Sequence, residues 1–155
     1  MLGTIRALNT ADEKMLIERV KQVVTKTAES NGATAEIIIP YESHFPVTFN
    51  DPALTEKMLP SLKLTAGAEN VVLTPARTGA EDFSFYQQKV PGIYFVLGGM
   101  PKGGNPLTAP SHHTPDFFID ESGMKTGIKA FCSLVIVYMT GLAYLMSLLV
   151  YQLLT

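Results

Sequence analysis

Two stretches of this chain carry residue types suited to chemistry: His112-His113-Thr114-Pro115-Asp116-Phe117-Phe118-Ile119-Asp120-Glu121 and, upstream, Thr78-Gly79-Ala80-Glu81-Asp82-Phe83-Ser84-Phe85-Tyr86. A histidine on a loop restrained by proline suits metal ligation, because neutral imidazole is a common ligand and nearby carboxylates fix its tautomer. The pair would supply half of a site for metal-assisted hydrolysis. Adjacent histidines on extended backbone point to opposite sides, so at most one of the two reaches a metal, and His113 is the candidate. No second His or Cys sits at a usual zinc interval, and His44 is isolated and reads as structural.

Glu81 has two readings. Thr78-Gly79-Ala80-Glu81 matches a capping box whose glutamate satisfies a helix start, and Glu81 or Asp82 also suits an outer-shell role toward a ligand histidine or metal-bound water. Phe83, Phe85 and Tyr86 read as core and pocket wall. Arg6, between Ile5 and Ala7 on an apolar stretch, either faces solvent or grips an anion, since its planar fork binds both oxygens of a carboxylate. Gly98-Gly99 and Gly103-Gly104 lack the strand-to-helix setting of a phosphate loop.

The elements that must position these groups begin with a strand over residues 1–8 and a helix over residues 11–30. Thr10-Ala11-Asp12-Glu13 caps that helix, and Asn31-Gly32 stops it. Residues 35–39 form a returning strand, completing a β-α-β unit. Residues 40–50, with Pro40 and Pro46, read as a linker and domain boundary. Asp51-Pro52 opens a second helix with an apolar face of Leu54, Met58, Leu59 and Leu62, kinked or broken at Pro60. Short strands follow at residues 71–73 and 92–97, with a short helix at 81–89 between them. Residues 98–120 are a Gly/Pro-rich loop of the long kind that often carries function. Asp120 caps a last helix.

The chain has 155 residues, which fits one ordinary domain or two incomplete halves. A net charge of −2, a pI near 5.9 and scattered Lys and Arg lack the footprint of a nucleic-acid binder. The single Cys132, in an apolar run, excludes an internal disulfide and a Cys-rich zinc module. Residues 1–30 show no basic, apolar and small-residue series of an export signal. Residues 130–155 are uncharged and long enough to span a bilayer, with Ser133, Thr140, Tyr144, Ser147 and Tyr151 on a weakly polar helical face. That tail is either a buried helix or one in contact with a membrane, over residues 130–154.

Five motifs occur in order: Gly3-Thr4-Ile5-Arg6, Val47-Thr48-Phe49-Asn50-Asp51, Gly79-Ala80-Glu81-Asp82-Phe83, Tyr94-Phe95-Val96-Leu97-Gly98 and His113-Thr114-Pro115-Asp116-Phe117. Together, over about residues 3–139, they resemble the C-terminal part of the aminoacylase/carboxypeptidase family of metallopeptidases, and within it the amidohydrolase branch. The resemblance implies an α/β fold, part of a two-domain zinc-peptidase-like architecture with a partial α+β, ferredoxin-like lid. Residues 1–46 would belong to the lid and dimerisation domain, residues 47–139 to the end of the catalytic domain, and residues 140–155 to an apolar continuation of the last helix.

By the same resemblance His113 matches the last metal-ligand histidine, Arg6 the lid arginine that holds the substrate carboxylate, and Gly79, Glu81 and Asp82 the lining of the active site. The implied cofactor is a divalent metal, zinc, with two ions in the intact family. The implied substrate is a small N-acyl amino acid or peptide, cleaved by metal-activated water, and the implied assembly a homodimer. The other metal ligands and the glutamate base have no match here. The expected reading is therefore a partial hydrolase, inactive alone, with a dimerising or membrane-tethered remnant as the alternative.

Overall fold

The computed structural model describes residues 1–40 and 44–141, and its regular elements are helical: α1 (Thr10–Ser30), α2 (Pro52–Ala66), α3 (Phe83–Gln87) and α4 (Met124–Thr140), with 3-10 turns at Ala68–Asn70 and Glu121–Gly123. The chain forms two compact units. One comprises Met1–Asp51 and Thr74–Tyr94, the other Pro52–Leu73 and the described residues from Phe95 onward.

In the first unit α1 starts one residue before the expected capping box. Asn9, not Thr10, is the N-cap, its side-chain oxygen accepting from the Asp12 N–H at 2.8 Å. Asparagine caps at least as well as threonine, and its amide also donates to Asp12 Oδ2 at 2.6 Å, so the competition goes to Asn9. The helix stops as expected: Gly32 takes φ +67, and Ala33 N–H reaches back to the Ala28 carbonyl at 2.9 Å. No residue of α1 is buried.

In the second unit α2 and α4 pack together. Met58 and Ser61 of α2 and Ala130, Ser133 and Val137 of α4 are buried among the described residues, the last three spaced as one helical face. Ser133 was expected on a weakly polar face; it is buried instead, its hydroxyl 2.6 Å from that of Ser61. The small side chains let the helices approach, and the hydroxyls satisfy each other. Helix α2 runs unbroken through Pro60, whose ring is exposed. Asp120, expected to cap the last helix, caps the 3-10 turn that precedes it, accepting from Ser122 N–H at 2.9 Å, and α4 itself starts at Met124 without a side-chain cap.

The α/β expectation is overturned: no strand and no sheet form among the described residues. The β-α-β unit with strands at residues 1–8 and 35–39, and the strands at 71–73 and 92–97, do not pair, so no ferredoxin-like lid is assembled. The reason is physical. A preference for extended backbone reflects fit to a pleated, half-buried surface, and a strand exists only when a neighbour takes its N–H and C=O groups. Here the side chains that should lie inside a sheet are uncovered: Leu73 is fully exposed and Val96 is 74% exposed.

The long apolar C-terminal helix is corrected as well. Helix α4 ends at Thr140, where Gly141 turns left-handed at φ +66 and its N–H bonds the Val137 carbonyl at 3.0 Å. Among the described residues no helix is long and apolar enough to cross a membrane. The rest of the expected span, residues 142–155, lies outside the described residues. Cys132 is exposed on α4.

Candidate functional site

The first unit gathers most of the expected site residues. Arg6 Nη1 donates to the carbonyl of Thr78 at 2.6 Å, fixing the guanidinium at the start of the Gly79-Ala80-Glu81-Asp82-Phe83 loop. One carbonyl uses one of the five guanidinium donors, so the exposed fork keeps capacity for an anion. Beside Gly79 the space is open, and a Cβ built there would meet nothing within 4 Å. Asp82 is exposed.

Glu81 does not act as the capping glutamate. Helix α3 begins at Phe83 with no side-chain cap, and the Glu81 carboxylate instead accepts the Tyr94 hydroxyl at 2.8 Å. The Tyr94 hydrogen bond holds the Glu81 carboxyl below its ordinary range. Partial desolvation opposes this, and the Asp82 side chain and the backbone N–H groups of Phe83 and Asp82 reinforce it. The same bond, with desolvation and the Glu81 and Asp82 charges, pushes the Tyr94 hydroxyl above the usual phenol range. Expected only as wall residues, Phe83 and Tyr86 have ring centroids 6.1 Å apart, and Phe83 lies 5.9 Å from Tyr94.

Asn50 places Tyr94. Its Oδ1 accepts from Tyr94 N–H at 2.7 Å while its Nδ2 donates to the Tyr94 carbonyl at 2.8 Å, so one side-chain amide does what a neighbouring strand would do. Gln87 of α3 completes the knot. Its Oε1 accepts from Phe49 N–H at 3.0 Å, and its Nε2 donates to Asn50 Oδ1 and the Gly92 carbonyl, both at 3.3 Å. Gly92 is there because a Cβ would sit 2.9 Å from Gln87 Cγ and 3.2 Å from the Phe83 ring. Sequence reasoning missed the roles of Asn50, Gln87 and Tyr94. The available signals were Asn50 in its motif and a lone hydroxyl at Tyr94 in an otherwise apolar run. A shallow cavity of about 290 Å³ lies against this knot, lined by Phe49, Asp51 and residues 87–92. His44, read as isolated, lies with Nε2 2.7 Å from Glu13 Oε1 of α1.

His113 belongs to the second unit, on the exposed loop before Asp120. Its backbone is not extended: φ is +64, the left-handed region that non-glycine residues rarely occupy. Turns on either side hold it there, with the Thr114 hydroxyl donating to the Ser111 carbonyl at 2.7 Å and Phe117 N–H to the Thr114 carbonyl at 3.1 Å. Because the backbone turns, the two histidine rings do not diverge as on a strand; their centroids lie 6.5 Å apart, and His112 packs on Phe117 at 4.7 Å. Backbone held in this region stores strain of about 1–3 kcal/mol, a feature that clusters at functional sites.

A zinc site takes three or four protein ligands. Among the described residues no group of three or more His, Cys, Asp and Glu is placed to hold a metal ion, so the donors present here do not fit a metal centre by themselves.

Comparison with known proteins agrees with the ordered motifs. A Bacillus subtilis protein bearing the name amidohydrolase YhaA is 32% identical over 138 residues, covering 89% of this chain and 34% of that protein. An IAA-amino acid hydrolase of Arabidopsis thaliana is 34% identical over 142 residues, covering 90% of this chain and 32% of its own. An N-acetyldiaminopimelate deacetylase of Streptococcus thermophilus is 31% identical over 130 residues, covering 83% and 34%. The chain thus spans about a third of the length of these curated relatives. No solved structure matches it. The family model for peptidase family M20/M25/M40 matches residues 5–136, and the chain belongs to that family of hydrolases.

Proposed function

We propose that this chain contributes one part of a hydrolase site that cleaves the amide bond of a small N-acyl amino acid or peptide, and that it is inactive alone. The observation carrying this reading is the 2.6 Å hydrogen bond from Arg6 to Thr78, which joins two family motifs at one place in the fold. Arg6, anchored by that bond, offers its remaining donors to the substrate carboxylate. Gly79 leaves the floor beside it open, and Glu81 and Asp82 line the same loop as anions. His113 would contribute one imidazole to a divalent metal, zinc, whose chemistry there would be the activation of water. Among the described residues no group of three or more His, Cys, Asp and Glu is placed to hold that ion.

Within this reading residues 1–46 belong to a lid and residues 47–139 to the end of a catalytic domain. The names of the relatives support the substrate class, as they read amidohydrolase, IAA-amino acid hydrolase and N-acetyldiaminopimelate deacetylase. The test is to incubate the purified chain with hippurate and zinc. No glycine release and no tight zinc binding are expected, and metal-dependent glycine release refutes the proposal of inactivity.

A second reading, self-association through the first unit, rests on α1. None of its residues is buried, and Met15, Leu16 and Val23 are exposed. Light scattering decides it: a monomer at every concentration rules out the homodimer.

A further inference from the structure

Helix α4 carries two apolar faces, and α2 covers one of them through Ala130, Ser133 and Val137. On the opposite face Met124, Ile128, Phe131, Val135 and Tyr138 follow one another at spacings of four, three, four and three, and all five are exposed. That is a 3.5-residue repeat. It is the a/d seam by which one helix packs on another, narrower than the stripe a helix turns toward a globular core. The two edges of the seam differ. On the Gly127 side residues 95–97 lie against it, with the Phe95 ring 5.4 Å from that of Phe131 and Leu97 Cδ2 3.0 Å from where a Cβ on Gly127 would sit. The other edge holds Lys125, Cys132 and Met139, one heptad apart and all exposed.

A second copy of the chain fits this seam in one orientation. The charges of α4 are Lys125 and Lys129, both in its first half, and residues 130–140 carry none. Parallel pairing would set each lysine beside its own copy, with no acid on either helix to separate them. Antiparallel pairing, with Phe131 of one copy against Val135 of the other, moves the two Lys125 about 24 Å apart along the axis and the two Lys129 about 12 Å apart, beyond a Debye length of about 8 Å. Each Lys125 then stands at the C-terminal end of the opposite α4, whose last turn holds no basic residue and whose carbonyl dipoles favour a cation. In this register Ile128 meets Tyr138, and Cys132 comes to the two-fold axis beside its own copy. The area is sufficient. Ile128, Phe131, Val135, Tyr138 and Met139 are 58–76% exposed, which leaves roughly 600 Å² of apolar surface uncovered on each copy, so that a pair removes roughly 1,200 Å², what a specific interface needs.

We propose that the exposed seam of α4 is a self-association surface, on which a second copy of this chain packs its own α4 antiparallel. The contact is independent of the hydrolase reading and separate from self-association through α1.

Sedimentation of the full chain from micromolar concentration upward should show a concentration-dependent dimer. Val135→Glu sets a carboxylate against Phe131 of the second copy and should weaken the dimer about a hundredfold or more. Its helical circular dichroism should stay unchanged, because the position is exposed. Leu16→Glu on α1 should leave the dimer intact. With oxidised glutathione as the two-electron acceptor, the two Cys132 thiols give up two protons and two electrons and form one disulfide that traps the pair, releasing two reduced glutathiones. Cys132→Ser removes the trap and keeps the non-covalent dimer. A monomer at every concentration overturns the proposal, and so does a dimer that Val135→Glu leaves intact. A dimer broken by Val135→Glu but never trapped through Cys132 overturns the antiparallel register. A monomer that floats with phosphatidylcholine vesicles, and is released by Val135→Glu, makes a bilayer the occupant and overturns the proposal as well.

Discussion

Replacing Asn50 should release the part of the first unit that carries Glu81. Its side-chain amide makes two short bonds to the backbone of Tyr94, at 2.7 and 2.8 Å, and takes a longer one from Gln87 at 3.3 Å. At about 1 kcal/mol net for each short bond, Asn50→Ala costs about 2 kcal/mol. With a urea slope of about 2 kcal/mol/M, the unfolding midpoint falls by about 1 M. Asn50→Asp refines the test because it keeps the shape and the acceptor for Tyr94 N–H but turns the donor into an oxygen facing the Tyr94 carbonyl. At neutral pH this variant should be no more stable than the alanine variant. Protonation restores a donor, so the fold raises the pKa of the introduced carboxyl. The lost stability is therefore present below the carboxyl's unfolded pKa and disappears as pH rises through the folded one. Urea titrations of both variants across the acid range read this directly. Midpoints that stay at the wild-type value, or an aspartate variant with no recovery in acid, refute the clasp.

Four further outcomes follow from the geometry. The depressed Glu81 pKa contributes stability above its unfolded value that is lost as pH falls through the folded one, and Tyr94→Phe, by removing its largest cause, should raise the Glu81 titration midpoint seen by carbon NMR. At the alkaline end the raised Tyr94 pKa stabilises the fold below the ordinary phenol value, and ultraviolet titration of wild type against Tyr94→Phe should show one tyrosine ionising late. Ser61→Ala leaves the Ser133 hydroxyl buried and unpaired at a cost of about 1–3 kcal/mol, whereas the double replacement with Ser133→Ala should cost less than the two single ones summed, as measured by a double-mutant cycle. Val137→Ala, at 1% exposure between α2 and α4, should cost about 2 kcal/mol in thermal unfolding.

Local signals in the chain were read well where the physics is local. The stop of α1 at Asn31-Gly32, the start of α2 at Pro52 and the cap at Asp120 depend on a few neighbouring residues, and all three are found. The first cap was misplaced by one residue because Asn9 and Thr10 offer the same chemistry, and only geometry selects between them. The candidate site was legible as motifs but not as contacts. Nothing in the order of residues says that Glu81 turns from its own helix toward Tyr94, or that Asn50 holds Tyr94 in place of a strand, since these partners are 13 and 44 positions apart.

The sequence by itself determined the family, through ordered motifs spread over most of its length, and the positions of the helices, whose hydrogen bonds close within the segment. Only the tertiary structure decided the fate of the extended runs. A helix satisfies its own backbone, but a strand needs a neighbouring strand at its edge, and residues 1–8, 35–39, 71–73 and 92–97 find no partner strand among the described residues. The same rule separates the site residues. Arg6 and the Gly79 loop meet through one hydrogen bond within a unit, while a metal centre needs several donors converging at one point, which His113 and its neighbours do not provide.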